Sequence, residues 1–414
     1  MRRIAILGML AIVTVLPGLS RAEDWPKWLG PNGDGISKEP LPDQFPREMK
    51  QLWKQPVGIG YSSPVVAENR IYLYSLAEPN DRLSCFDADS GKVIWQQDNK
   101  GGYSGDFPGT RCTPHVQAGR VYTFGGDGQL VCRQVEDGKE LWNTSVLKET
   151  GAKNLNWGLA SNPLFVGDMI YVQNGRGDGV PVAVGIDKNS GKIVWKSQAA
   201  GTPSGGIRKW PQGGGYAQII LVDVQGTKQL IVFASDTLYG IAPADGKTIW
   251  SEKWVTDWDV NAANPLYRDG NLFLTSNYGQ GCMMLKLSPT GATKQWQNKE
   301  IMSRFQPVIL DGDVMYGNSE GTIKCLSWPD GAVKWAARQP RIGFGGSLVR
   351  DGDKLVAMSD GGELFLLRAT PDGVQSLGQT RVFPGERQIW ATPLIYKGRI
   401  YAKGTDSLVC LEMK

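Results

Sequence analysis

The chain has a single histidine in 414 residues, His115. Metal sites built on several imidazoles are therefore outside its chemistry, and a serine–histidine relay would have to rest on that one ring, which its place in a short apolar segment argues against. His115 follows Pro114 within a short apolar segment, which predicts a partly buried, hydrogen-bonded ring rather than a functional one. An excess of charge of one sign is missing too. Lys and Arg number 45 against 41 Asp and Glu, and Arg2, Arg3 and Arg21 fall within the first 22 residues. What remains is close to neutral, so neither nucleic acid nor an anionic membrane surface is implied as a partner. Apolar residues at helical spacing are absent beyond the amino terminus. The longest apolar run, Ile4 to Leu16, is too short to cross a bilayer comfortably. Arg2 and Arg3 before it and Pro17, Gly18 and Ser20-Arg21-Ala22 after it predict a secretory signal peptide over 1–22, cleaved after Ala22. The expected location is periplasmic or secreted, with no transmembrane segment after cleavage. No cysteine stands near the cleavage point, so a lipid-anchored lipoprotein is not expected.

What the chain does have is glycine, 53 residues, with 24 prolines, as many short strands and tight turns require. The glycines fall into a period. Gly91, Gly138, Gly191, Gly246, Gly291, Gly331 and Gly373 lie 47, 53, 55, 45, 40 and 42 residues apart. Tryptophan follows about four residues later as Trp95, Trp142, Trp195, Trp250, Trp296 and Trp335, with Leu377 in the last place. That spacing is one propeller blade. Each copy reads as four strands, as in SSPVVAENR, IYLYSLAEP, DRLSCFDADSG and KVIWQQ. The eighth copy, from residue 391, stops before its tryptophan strand, and the missing piece is QLWKQPV at 51–57, with Trp53. A ring that completes its last blade with its first strand leaves no open edge. The expected fold is therefore all-β: an eight-bladed β-propeller of four-stranded antiparallel blades over 51–414, closed by the N-terminal strand. Seven blades with a loose tail is the other arrangement. Residues 23–50, rich in proline and glycine, read as a coiled strap anchored by Trp25 and Trp28.

The seven tryptophans, Trp53 included, are expected to be structural, each packed against the neighbouring blade. Cys85, Cys132, Cys325 and Cys410 occupy one slot that holds Gly185, Gly240, Leu285 and Leu367 elsewhere. Such a slot is a packing position, so these four are expected to be unpaired, and Cys112 and Cys282 fall in different blades.

These blade motifs resemble the pyrroloquinoline-quinone-like (PQQ-like) β-propeller repeat family. That family includes quinoprotein alcohol dehydrogenases, the propeller lipoprotein of the outer-membrane β-barrel assembly machinery, and many exported bacterial propellers. The opening DWPKWLGPNGDGIS is similar to the leader of this last group. The dehydrogenase branch would imply PQQ beside a calcium ion, an aspartate base and a disulfide between adjacent cysteines. No two cysteines are adjacent here, and no catalytic or cofactor-binding residue is assigned. No metal site and no cofactor are expected, PQQ with calcium belonging only to the oxidoreductase alternative.

A polar residue precedes each inner strand: Ser63, Thr113, Asn162, Gln218, Asn264, Gln306, Ser347 and Thr392. They either cap strand ends and hold channel water, or form a polar ring at one mouth of the channel. The loops entering these strands bring Tyr61, Asp106, Arg111, Trp157, Asp257, Trp258, Asp259, Arg304, Arg387 and Trp390 toward the same face. Aromatic rings beside arginines and amides suit a planar anion, a sugar or a peptide. The chain reads as a monomeric, non-catalytic scaffold for envelope proteins or a small polar or planar ligand. A quinoprotein oxidoreductase is the alternative.

Overall fold

The structure, a computed structural model, describes residues 23–201 and 213–413; the expected signal peptide lies outside them. The described residues form eight four-stranded antiparallel sheets. Seven are built consecutively: Val65–Asn99, His115–Ser145, Leu164–Lys196, Ile220–Lys253, Leu266–Asn298, Ile309–Arg341 and Ser347–Arg381. The eighth takes three strands from Leu394–Glu412 and its outer strand from Gln51–Pro56. In that strand Trp53 pairs with Cys410 and Gln55 with Leu408, and Lys50 Nζ reaches Glu412 at 3.3 Å. The ring thus closes as expected, with eight blades. No helix among the described residues is long and apolar enough to cross a membrane.

The junctions between blades explain the glycine–tryptophan period. Each indole N–H donates to a backbone carbonyl of the next blade: Trp53 to Ala88, Trp95 to Val135, Trp142 to Lys188, Trp195 to Pro243, Trp296 to Pro329 and Trp335 to Thr370, at 2.7–3.1 Å. At Trp250 the link is relayed. Its N–H donates to Gln229 Oε1 at 2.7 Å, and Gln229 Nε2 donates to the Ser288 carbonyl at 3.0 Å. The indole faces cover the turn glycine ahead. Gly91, Gly138, Gly191, Gly246 and Gly331 have φ of +71° to +75°. A methyl group on any of them would sit 2.5–2.7 Å from an indole carbon. Conformation and close approach both demand glycine there. Gly291 and Gly373 meet no ring and lack the positive φ, so the residue recurs there without that need.

The cysteine slot has the same origin. It lies directly opposite the tryptophan on the neighbouring strand: Cys85 with Trp95, Cys132 with Trp142, Gly185 with Trp195, Gly240 with Trp250, Cys325 with Trp335 and Cys410 with Trp53. The indole fills the room that a larger side chain would take. One expected alignment is corrected: Met284, not Leu285, faces Trp296, because that tryptophan comes one residue late. All six cysteines are buried and free.

The strap does more than lie on a face. Trp25 exchanges both backbone hydrogen bonds with Val66 on the inner strand of blade 1, and Val116 N donates to Pro26 O on blade 2. Ile36 bridges to Arg350 on the inner strand of blade 7, with Arg350 N donating to Gly35 O. Residues 25–36 therefore lie across the inner strands at one end of the channel. The strap then runs outward along blade 7, where Lys354 Nζ holds the carbonyls of Leu41 and Pro42 at 3.0 and 2.9 Å. At the rim Phe45 N donates to Leu377 O and Phe45 is buried, after which the chain becomes the outer strand of blade 8.

Candidate functional site

At the opposite end of the channel, the loops entering the inner strands surround a cavity of about 250 Å³. Its floor is Trp28 of the strap, and its walls are Tyr61, Phe107, Trp157, Tyr216, Tyr278, Phe305 and Trp390. Trp390 is the centre of this cluster. It stacks on Tyr61 at 4.6 Å and tilts against Phe305 at 4.8 Å and Phe107 at 5.7 Å. Offset and tilted pairs of this kind are the favoured aromatic geometries.

Two charged residues line the cavity, Arg111 and Arg304. Arg111 lies over Tyr103 at 4.5 Å and Tyr61 at 5.7 Å. Its N–H groups go to the carbonyls of Gly109, Phe107 and Asp106, at 2.7, 2.5 and 3.3 Å. Burial lowers its pKa from the ordinary value, and the phenols of Tyr103 and Tyr61 oppose that shift. Arg304 lies among three rings, 4.9 Å from Phe344, 5.1 Å from Tyr278 and 5.6 Å from Phe305. Its Nε is buried without a hydrogen-bond partner. No carboxylate lines the cavity.

The polar ring exists, and most of its members stitch blades together. Thr392 N donates to Ser63 Oγ at 2.8 Å, Ser63 N to Thr113 Oγ1 at 3.1 Å, and Thr113 N to Asn162 Oδ1 at 2.7 Å. Gln218 N donates likewise to Asn264 Oδ1 at 2.9 Å. Gln306 Nε2 donates to the Trp390 carbonyl at 2.8 Å, fixing the aromatic cluster to the ring. Ser347 Oγ is buried without a partner. The side chains of Ser63, Thr113, Asn162 and Asn264 thus take the place of a strand partner for a backbone N–H of the neighbouring blade.

Of the fourteen candidates, the cavity gathers Ser63, Arg111, Thr113, Trp157, Asn162, Arg304, Gln306 and Trp390. Gln218, Asn264, Ser347 and Thr392 stay in the ring wall, outside the lining. Trp258 lies in the short turn Asp257–Asp259, away from the lining, and Arg387 is exposed on the rim. Trp28, Phe107, Tyr216, Tyr278 and Phe305 line the cavity without having been singled out for it. Phe107 and Phe305 stand in the same entering loops as Arg111 and Arg304, a signal that was available. Tyr278 comes from a turn between two strands of blade 5, and Trp28 arrives through the strap.

Beside the Arg111 loop lies an acidic pair, Asp81, which is buried, and Asp127, which is half-buried. Asp81 is 1 % exposed, accepts the Tyr74 hydroxyl at 3.2 Å, and leaves Oδ1 without a partner. Burial and then the charge of Asp127 push its carboxyl up to about 7, and burial raises Asp127 as well. His115 stacks on Phe165 at 3.9 Å, and its pKa is held well below the usual imidazole value by burial and by Lys27 and Lys188.

With this geometry established, comparison with known proteins assigns the family. The model for the outer membrane protein assembly factor BamB matches residues 79–337, more than half of the chain. The chain belongs to this family. BamB of Escherichia coli (strain K12) is 22 % identical over 421 residues, covering 87 % of this chain and 98 % of that protein. The crystal structure of BamB from Moraxella catarrhalis matches with a TM-score of 0.59 at 15 % identity, over 88 % of this chain and 98 % of that one. A quinohemoprotein alcohol dehydrogenase from Pseudomonas putida HK5 matches with a TM-score of 0.64 at 13 % identity, over 94 % and 80 %. At such identities the structural likenesses carry the fold alone.

A calcium-held quinone needs oxygen donors and a basic carboxylate beside it. The lining offers neither Asp nor Glu, and among the described residues no three His, Cys, Asp or Glu side chains gather as a metal-binding group. The donor set does not fit that cofactor.

Proposed function

We propose that this member of the BamB family is an exported, non-catalytic scaffold of the cell envelope that engages its partner through the loop-rich mouth. One observation carries the reading: the channel is crossed at one end by the strap and presents, at the other, an aromatic cavity with two arginines and no carboxylate. Such a mouth has hot-spot residue types, Trp, Tyr and Arg, and its hydroxyls have no carboxylate, histidine or cysteine in the lining to work with. The resemblance to an assembly factor of the outer membrane supports envelope proteins as partners. Export through the signal at 1–22 and a monomeric state belong to the same reading, and N-terminal sequencing of the secreted protein tests the cleavage after Ala22.

The test is capture from a solubilised envelope by the mature protein. Barrel-assembly or other envelope proteins should be retained, and Trp390→Ala should release them. Capture unchanged by that substitution, or no capture at all, overturns the mouth as the binding face. For the oxidoreductase alternative, PQQ and calcium are added to the mature protein; bound-cofactor absorbance with dye reduction by alcohols would favour the enzyme over the scaffold.

A further inference from the structure

The two arginines of the cavity differ in what their donors do. Arg111 turns its guanidinium back onto three carbonyls of its own loop, so it braces that loop. Arg304 has no such bond. Among the described residues its guanidinium lies over the faces of Phe344, Tyr278 and Phe305 and its Nε is buried and orphaned, while the Asp360 carboxylate, on which its charge acts, stays outside the lining and accepts the Gly345 N–H instead. Ring faces offset part of a cation's lost hydration but accept no strong hydrogen bond. A guanidinium with unspent donors on the wall of a largely apolar cavity is costly unless an anion completes it.

We propose that the cavity binds a small organic monocarboxylate with a flat aromatic body, its carboxylate on Arg304 and its ring against Trp390. The fork of a guanidinium matches the two oxygens of a carboxylate, and such charge-assisted pairs are the strong ones. One arginine with free donors calls for one carboxylate; Arg111, already spent, offers no second clamp. The body is set by the remaining wall. Trp390, Tyr61, Phe305 and Trp157 present rings, and the amide and hydroxyl groups between them, Gln306, Thr113 and Ser63, are engaged in the blade ring. A cavity of about 250 Å³ has room for a ring and a short chain. Trp28 closes it beneath, so the ligand enters from the mouth only. This assignment rests on the mouth being the binding face and adds the chemistry of what enters it.

The test uses the mature protein with 3-phenylpropionate and its neutral amide, followed by titration calorimetry and tryptophan fluorescence. The acid should bind about 10- to 100-fold more tightly than the amide, the range expected for a charge-assisted pair. Arg304→Gln should bring the acid down to the amide's level and leave the amide unchanged. Arg338→Gln, an exposed arginine on the outer strand of blade 6, should alter neither. Equal binding of acid and amide to the unaltered protein, or binding of neither, overturns the proposal without recourse to any variant. A peptide ending in a free phenylalanine carboxylate that binds far more tightly than phenylpropionate also overturns it, since the ligand would then be a protein terminus. Loss of carboxylate binding with envelope capture intact sinks this inference and leaves the docking reading standing; loss of Trp390-dependent capture with carboxylate binding intact does the reverse.

Discussion

Blade 7 meets blade 8 differently from the way the other blades meet. Elsewhere an indole links to the next blade's outer turn, donating its N–H there directly or, at Trp250, through Gln229, and at five of those junctions it also covers the turn glycine. At the seventh junction the tryptophan is replaced by Leu377, and blade 8 has no outer turn, because its outer strand comes from the other end of the chain. The strap fills the gap. Phe45 joins the buried cluster that also holds Val349, Met358, Leu364 and Tyr396, and its N–H donates to the Leu377 carbonyl. A periodic contact between side chain and turn gives way to an aperiodic one, and the same segment that closes the ring also carries Trp28 to the cavity floor.

Four measurements would break or sharpen that contrast. Trp95→Ala should lower stability by about 3–5 kcal/mol in chemical denaturation, since the ring is buried against two blades. Trp335→Ala should cost less, its indole being partly exposed and Gly373 ahead of it meeting nothing. Equal losses would mean that the glycine–indole contact contributes little. Phe45→Ala should cost about 3 kcal/mol. Its amide hydrogen exchange should speed up along Gly373–Arg381 and Leu394–Tyr396 while blades 3 and 4 stay protected. Uniform acceleration would deny the strap its local role. Gly138→Ala, at φ +75° under Trp95, should cost about 2 kcal/mol, whereas Gly226→Ala, at φ +85° in open space, should cost only about 1 kcal/mol, by comparison of urea midpoints.

The smallest effects come with pH. The folded Asp81 carboxyl keeps a proton that the unfolded chain releases between roughly pH 4 and 7, so its contribution to stability is lost as pH rises through that window. Asp81→Asn should stabilise the protein at pH 8 by roughly 1–2 kcal/mol and change little at pH 4. His115 acts with the opposite sign. Its lowered folded pKa makes stability fall as pH drops below about 6.5, and His115→Gln should flatten that limb. Thermal melts across pH 4–8 read both.

Much of this architecture was legible beforehand because a propeller repeats its contacts. Trp95, Gly138 and Cys85 serve one junction, and the same three roles recur with the chain's period, so the pattern announced both the blade and its closure through Trp53. The slip at Leu285 shows where the reading fails: a shift of one residue in Trp296 moves the facing slot, and only pairing reveals it. The mouth was half legible. Loops entering inner strands could be recognised, and Arg111, Trp157, Arg304 and Trp390 do meet there. Arg387 and Trp258 come from the same kind of loop and point elsewhere, since a loop's course is set by its packing rather than by its position in the repeat.

The sequence alone determined the number of blades, the pairing of the two ends and the free state of Cys85, Cys132, Cys325 and Cys410, because each follows from a period and a packing slot. Only the tertiary structure decided that the strap crosses the channel, that the polar ring is spent on holding blades together, and that Arg304 rather than Arg111 keeps its donors free. Those outcomes depend on which groups find partners at close range. Hydrogen bonds and ring contacts of that kind join residues at separations from one to several hundred positions, and no repeat in the chain records them.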